Sequence, residues 1–510
     1  MITPMTVLPR NLYRAAAVRE LDRIAIEDHG LAGLALMERA GQAAFTLLQQ
    51  RWPQARRLII VCGPGNNGGD GFVIARLAAA AGMFVGVVLV ADVSRLGGAA
   101  AQAYAAMVDA GLETQAFAEQ DLLAADVVVD ALLGTGLDRD VAGELATMID
   151  VLNQHRLPVL AIDIPSGLHA DSGRVLGHAL QAAATISFIG LKQGLFTGQG
   201  PGCCGDVYFD DLQVPAEVYK GIPVAAWRID YASLNAARDT LAPRSRTAHK
   251  GDYGHVLVIG GDQGMAGAVR LAAEAAARVG AGLVSVATRA EHAGQICAAR
   301  PELMVHGLQS PADLPALMTR ATVIAIGPGL GQAGWGQGCL GQVLDVLTAT
   351  NKPLIIDADG LNILAREGWR YDHWILTPHP GEAARLLGVT TAEIQADRFA
   401  AAHAIQQRYG GICILKGAGT LVQCATACRV CADGNPGMAC GGMGDVLTGV
   451  IAGLLAQGLA IDVAAWTAVC VHGHAADTVA GDGERGMLAS DLFPQLRRLV
   501  NPAVVGAARD

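Results

Sequence analysis

Positive charge is scarce in this chain. Lys and Arg number 37 against 47 Asp and Glu in 510 residues, a formal net charge of −10 at pH 7. A nucleic-acid polymer wants a basic face, so this balance argues against one, while a nucleotide needs only a local site. Long hydrophobic runs are also missing. The most apolar stretches, such as FVGVVLVA at 84–91, have the length of strands and fall short of a membrane span. The opening MITPMTVLPRNLYRAAAVRELDR is broken by charge and holds no apolar core of signal-peptide length. The 11 cysteines lack the close spacing of a disulfide-stapled small domain, which suits a reducing cytosol. No internal repeat is present, and the two GPG stretches at 63 and 327 differ in everything around them.

What is present is apolar and glycine-rich: 52% hydrophobic residues and 64 Gly. Glycine loops between short apolar runs predict alternating strands and helices, and the length predicts two to four α/β domains. Helical spacing marks 14–28 and 33–51, and residues 57–63 read as a buried strand. The stretch after it, GPGNNGGDG (63–71), reads as a loop, followed by a helix to Gly82 and a second strand ending at Asp92. Gly63, Gly65 and Gly68 match G-x-G-x-x-G, which on its own would predict a dinucleotide-binding dehydrogenase. Asn66, Asn67 and Asp70 are not needed for that fingerprint. Side-chain oxygens beside such a turn hold a hard cation together with a polar ligand. DVVVDALLGTGLDRD places Asp130 at a strand end before Gly134-Thr135-Gly136, and AIDIPSG places Asp163 and Ser166 at the next. Ligands of open parallel sheets bind at the carboxyl ends of strands, so Asn67, Asp130, Asp163 and Ser166 are expected to share one crevice. Lys192, after a further strand, is a candidate proton-transfer partner for an Asp. Helix capping by each acid is the plainer explanation, and three strand ends with the same chemistry weigh against it. Residues 204–215 read as a last strand, and the irregular stretch AEVYKGIPVAAWRID puts a domain boundary near 216–230.

The second half repeats the logic with other residues. Strands are followed by GPGLG (327–331), DADGLN (357–362), TPHPGE (377–382) and KGAGT (416–420). The chain then reaches GNPGMACGGMGDVLTG (434–449), a glycine turn running into an apolar helix. Free N–H groups at a helix start form an anion site, and Asp445 in that first turn is placed to take a proton from a hydroxyl while the amides hold a phosphoryl group. Cys424, Cys428 and Cys431 have the C-x3-C-x2-C spacing of a radical iron–sulfur site, but their segment alternates as strand, turn, strand, which argues against a cluster.

These motifs, in this order, resemble the bifunctional NAD(P)H-hydrate repair enzymes across nearly the whole chain. The resemblance rests on GPGNNGGDG, VVDALLGTGL and AIDIPSG, then on GPGLG, DADGLN, TPHPGE, KGAGT and GNPGMACGGMGD. It implies an N-terminal Rossmann-like three-layer α/β epimerase domain over 1–218, a linker at 219–230, and a ribokinase-like α/β/α dehydratase domain over 231–510. Asn67, Asp130 and Ser166 would hold a potassium ion. Asn66, Asn67, Gly68, Gly69 and Asp70, with Gly134, Thr135, Gly136, Leu137, Asp138, Arg139, Asp140 and Asp163, would bind the hydrated cofactor. Asp163 and Lys192 would serve interconversion of its R and S epimers. Ala268, Gly329, His379 and Asp445 would contact the S epimer, with Asp357 a further contact. Lys416, Gly417, Ala418, Gly419, Thr420 and Gly444 would hold ADP, which carries magnesium. Asp445 would deprotonate the C6 hydroxyl for attack on a phosphoryl group of ADP, and phosphate would then leave as the double bond returns. The resemblance also implies a cytoplasmic homo-oligomer acting on hydrated NADH and NADPH, with no nucleic-acid or membrane partner. Two other classes stay open from the residues alone: a hydroxymethyl kinase that keeps its phosphate on the product, and a dinucleotide-sensing module without catalysis.

Overall fold

The computed structural model describes residues 8–234 and 241–501. The first seven residues of the charge-broken opening segment therefore lie outside the described residues. The chain divides into two compact units, Met1–Trp227 and Arg228–Asp510.

In the first unit a seven-stranded sheet has the order Thr114–Gln115, Phe84–Leu89, Arg57–Cys62, Val127–Ala131, Val159–Ile162, Ala184–Phe188, Asp206–Asp210. Every pairing in it is parallel. The chain starts in the middle, at Arg57–Cys62, winds outward one way and then crosses to Val127–Ala131. That reversal is the topological switch point of a doubly wound sheet, where neighbouring loops diverge and leave a crevice. Successive side chains of a strand face opposite sides. Leu58, Ile60 and Cys62 accordingly join one apolar core, and Ile59 and Val61 the other. Asn11–Tyr13 pairs in parallel with Leu191–Lys192, Tyr13 opposite Lys192.

The stretch 63–71 is not wholly a loop. The helix Asn66–Ala80 starts inside it, so both Asn residues, three glycines and the Asp are already helical. The glycines allow this packing: a Cβ at Gly68 would overlap the Gly63 carbonyl. The stretch expected to be irregular holds a 3-10 turn at Ala216–Tyr219 and a strand at Ala226–Ile229, within which the boundary between the units falls.

In the second unit the strands run Met304–Leu308, Leu283–Arg289, His255–Ile259, Val323–Ile326, Leu354–Ile356, Trp374–Leu376, Ile412–Leu415, then Leu421–Gln423 and Cys428–Cys431. The sheet is parallel through Ile412–Leu415, and the last two strands return antiparallel. One face packs its Val256, Val258, Ala325, Ile355 and Ile414 against the helices Ala266–Arg278, Met443–Ala456 and Ile461–Val479. No helix among the described residues is long and apolar enough to cross a membrane.

Candidate functional sites

At the switch point of the first unit, Asp130 is fully buried. Its carboxylate accepts from the Ser166 hydroxyl (2.6 Å), the Ser166 amide (2.8 Å) and the Leu132 amide (3.2 Å). Burial pushes its carboxyl up to about 6 against these hydrogen bonds. The Leu133 amide donates to the Ser166 hydroxyl at 2.8 Å, and Asn67 Nδ2 donates to the Leu133 carbonyl at 3.0 Å. Asn67 Oδ1 is buried with no hydrogen-bond partner among the described residues. Asn67, Asp130 and Ser166 are thus joined through one backbone segment, with an unused oxygen among them. Gly134 lies against Asn67, its Cβ position 3.4 Å from the Asn67 Cβ. Beyond it Asp138, Arg139 and Asp140 are exposed.

Asp163 has a left-handed backbone (φ 67°), an uncommon conformation that turns the chain sharply at the end of Val159–Ile162. Its carboxylate accepts from the Lys192 ammonium, which also donates to the Ser187 hydroxyl at 3.0 Å. The Lys192 side chain is fully buried and that of Asp163 is 18% exposed, so the pair opens to solvent from the carboxylate side only. Asp70 faces the same group: burial, then the charges of Asp163 and Asp22, raise its carboxyl well above the ordinary value.

Asp22 did not stand out in the sequence. It lies on the helix Ala15–Arg23, whose buried residues are Ala15, Val18 and Leu21. Burial pushes its carboxyl up to about 6, with Lys192 opposing and Asp163 reinforcing. The only signal available to a sequence reader was its place at the edge of that apolar stripe. On the same helix Arg19 donates to the Thr135 carbonyl at 3.4 Å.

In the second unit Lys416, just past the strand Ile412–Leu415, donates to Asp357 at 2.8 Å and lies 3.9 Å from Glu382. Thr448, one turn into the helix Met443–Ala456, donates to the other Asp357 oxygen at 2.8 Å. Burial would raise the Asp357 carboxyl, but Lys416 and the hydroxyls of Thr448 and Thr377 hold it below its ordinary value. Burial works against the Lys416 ammonium too, and Asp357, Glu382 and Asp445 outweigh it and raise its pKa.

Gly442 caps the helix at φ 93°, a conformation that glycine adopts without strain. A Cβ on Gly444 would stand 3.2 Å from the Lys416 ammonium, so this glycine leaves room for the lysine. Asp445 follows in the first turn. Burial, reinforced by Asp357 and opposed by Lys416, pushes its carboxyl up to about 7. Glu382 is also pushed to about 7, by burial first.

His379 caps the helix Pro380–Leu387, its Nδ1 accepting from the Gly381 amide at 3.0 Å and its amide donating to Glu382 at 2.8 Å. Burial and Lys416 lower its pKa. Ala268 and Gly329 adjoin: a Cβ on Gly329 would lie 3.2 Å from that of Ala268.

Two more residues that the sequence did not single out meet this site. Arg398, 1% exposed, donates to the carbonyls of Leu415 (3.2 Å) and Lys416 (3.3 Å), holding the start of Lys416–Thr420. His472 is buried, its Nε2 with no hydrogen-bond partner among the described residues, and burial pushes its pKa down to about 4 with Lys416 adding to the effect. Cys424, Cys428 and Cys431 do not converge. Cys424 lies just past the strand Leu421–Gln423, Cys428 and Cys431 lie on the antiparallel strand beside it with Cys428 facing Gln423, and Cys431 turns toward Cys470.

Comparison with known proteins follows this division. The family model described as YjeF-related protein N-terminus matches residues 33–194, and that described as NAD(P)H-hydrate dehydratase matches residues 256–498. The bifunctional NAD(P)H-hydrate repair enzyme of Escherichia coli is 44% identical over 99% of this chain and 96% of its own. A solved structure of an ADP/ATP-dependent NAD(P)H-hydrate dehydratase from Bacillus subtilis, co-crystallised with ATP and Mg2+, aligns at 31% identity and a TM-score of 0.46. That alignment covers 53% of this chain and 97% of the other. The Coxiella burnetii enzyme of the same repair type is 49% identical over 96% of this chain and 99% of its own length, and the chain belongs to the family of bifunctional NAD(P)H-hydrate repair enzymes.

Proposed function

We propose that this chain restores hydrated NADH and NADPH, the first unit interconverting the R and S epimers and the second dehydrating the S form with ADP. The observation that carries the reading is Asp445 in the first turn of Met443–Ala456, its carboxyl near neutrality, beside Lys416 and Gly444. Hydroxide is a poor leaving group. A base that titrates near neutrality is suited to take the proton from the C6 hydroxyl as that oxygen attacks a phosphoryl group of ADP. The helix-start amides and Lys416 hold the negative charge in transit. Elimination then releases phosphate, the ring regains its double bond, and AMP remains. Ala268, Gly329 and His379 would flank the S epimer, with Asp357 holding Lys416, and Lys416–Thr420 would cradle the nucleotide.

Magnesium, which comes with ADP, would neutralise phosphate charge. The hard carboxylate oxygens of Glu382, 3.9 Å from Lys416, fit such an ion and leave Asp445 free as the base. In the first unit the orphaned Asn67 Oδ1, on a side chain tied through Leu133 to Ser166 and so to the Asp130 carboxylate, fits a monovalent cation, and these three residues would hold potassium. Asn66–Asp70 and Gly134–Asp140 would line the hydrated cofactor, with Asp163 and Lys192 as the proton-transfer pair of epimerisation. The same reading places the chain in the cytosol as a homo-oligomer, to be checked by cell fractionation and light scattering.

The direct test mixes the protein with hydrated NADH and ADP. NADH absorbance should return with one phosphate released per NADH formed. Transfer of phosphate to a stable product, with no absorbance regained, would refute the reading in favour of a kinase.

A further inference from the structure

The second unit gathers metal-ligating side chains that neither activity uses. The strand Cys428–Cys431 ends at Cys431, and Asp433 follows it by two residues. Cys470, His474 and Asp477 lie on the helix Ile461–Val479 at spacings of four and three, which put them on one face. The two elements bring Cys431, Cys470 and a carboxylate oxygen of Asp433 within 4.8 Å of one another, and Asp433, His474 and Asp477 likewise.

We propose that Cys431, Cys470 and Asp433, completed by His474, form a binding site for one divalent ion of the zinc class. The sulfur atoms are 3.8 Å apart, far beyond disulfide length. Two thiolates on one tetrahedral zinc, each at about 2.3 Å, stand about 3.8 Å apart. Asp433 Oδ2 lies 4.0 Å from Cys431 Sγ and accepts the Tyr231 amide at 2.7 Å, which fixes its direction. His474 Nδ1 is 3.9 Å from Asp433 Oδ1, in the cluster shared with Asp477, so the imidazole joins an ion at the two sulfurs by turning from that cluster toward them. The Tyr231 ring stacks on the imidazole at 4.6 Å, orienting it.

Two soft sulfurs with one nitrogen and one oxygen select a borderline ion over Mg2+ or K+. The thiols are buried while the His474 side chain is 40% exposed, so the imidazole side is the way in. Binding would form two metal–sulfur bonds and release the two thiol protons to solvent.

The site would reinforce a connection the fold already makes. Asp477 accepts from the Gly434 amide (2.9 Å) and Asn435 Nδ2 (2.8 Å), the beginning of the segment that leads to Asp445. An ion at Asp433 would tie the same segment to the same helix. It would stabilise the unit without entering the reaction.

The test uses the full chain, stripped of metal under reducing conditions and titrated with Zn2+ and, for spectroscopy, Cd2+. The expected result is one ion per chain by elemental analysis after gel filtration, a cadmium–thiolate absorption band, and a melting temperature raised by several degrees. Cys431→Ser and Cys470→Ser should each weaken binding at least tenfold while leaving dehydration intact, whereas the control pair Cys297→Ser and Cys424→Ser should keep full binding. Wild-type protein that takes up no zinc, or shows no thiolate band with cadmium, overturns the proposal whether or not the variants fold. So does binding that survives Cys431→Ser and Cys470→Ser together or vanishes in the control pair, or a Cys431–Cys470 disulfide that persists under reductant.

Discussion

The Asp445→Asn variant tests the dehydration chemistry most directly. The substitution keeps shape and removes the base. General-base catalysis contributes about 10²–10⁴-fold, so dehydration should fall by that factor, roughly 2.7–5.5 kcal/mol of transition-state stabilisation. Nucleotide affinity should hold or improve, because Asp445 adds negative charge where phosphates would sit. The structure sharpens this into a pH test. The Asp445 carboxyl is pushed up to about 7, and only its charged form accepts a proton. Turnover should therefore fall as pH drops through 7, about tenfold per unit well below it. Glu382 is pushed to about 7 as well, so the acidic limb by itself does not name the group. The variants do. Glu382→Gln removes one charge that raises the Asp445 carboxyl, so the limb should persist and move to lower pH. Asp445→Asn should flatten the limb along with the rate. Initial rates of NADH recovery between pH 5.5 and 8.5 give all three curves. Near-normal turnover in Asp445→Asn, or an unchanged limb, would refute the assignment.

Asp130→Ala should weaken epimerisation and abolish its response to potassium, with S-epimer dehydration untouched; full epimerase activity after exhaustive removal of potassium and sodium would count against the cation site. A fragment beginning at Arg228 should dehydrate the S epimer and leave the R epimer to its slow spontaneous conversion, and chiral chromatography of the residual hydrate checks this. Arg398→Leu strips buried donors from the carbonyls of Leu415 and Lys416, so denaturant melting should show a loss of roughly 2–3 kcal/mol and the KM for ADP should rise. An unchanged melting midpoint would mean those carbonyls are satisfied some other way.

Strand ends were the most legible part of this chain. Asp130, Asp163, Asp357 and Lys416 each stand at or just past the end of a strand, because a run of apolar residues halted by a polar one has few other solutions in an α/β fold. The start of the helix at Asn66 was not legible. Glycine carries a low intrinsic helix propensity, and here Gly68, Gly69 and Gly71 serve close packing against Gly63, Met37 and Cys62, which only the folded chain reveals. Asp22, Arg398 and His472 were invisible for a related reason. Each is one polar residue in a helix, a pattern that describes a solvated face equally well. Long-range packing sets Asp22 near Lys192, Arg398 under the Lys416 carbonyl and His472 near Lys416. The cysteine spacing at 424–431 shows the reverse case. A linear pattern had a ready chemical meaning, but strand alternation puts Cys431 on the opposite face from Cys428 and sends it to a different partner.

Both sites solve the same electrostatic problem in the same way. Asp22, Asp70 and Asp163 surround Lys192; Asp357, Glu382 and Asp445 surround Lys416. One ammonium cannot neutralise three carboxylates, and low-dielectric surroundings make the surplus negative charge costly. The acid nearest the lysine takes the charge: Asp357, bonded to Lys416 at 2.8 Å, is held below its ordinary value. The others are driven up, Asp22 to about 6 and Glu382 and Asp445 to about 7. In the second unit Asp445 and Glu382 are both pushed up to about 7 and each feels Asp357 and Lys416, so the acidic titration there belongs to the group more than to any one member. That arrangement pushes apart the pKa values of chemically similar groups, which gives proton acceptors and donors for work near pH 7. It also explains why Lys192 is fully buried and Lys416 largely so. In solvent the ammonium would be screened, the carboxylates would relax toward ordinary values, and none would titrate where a hydroxyl proton must be moved.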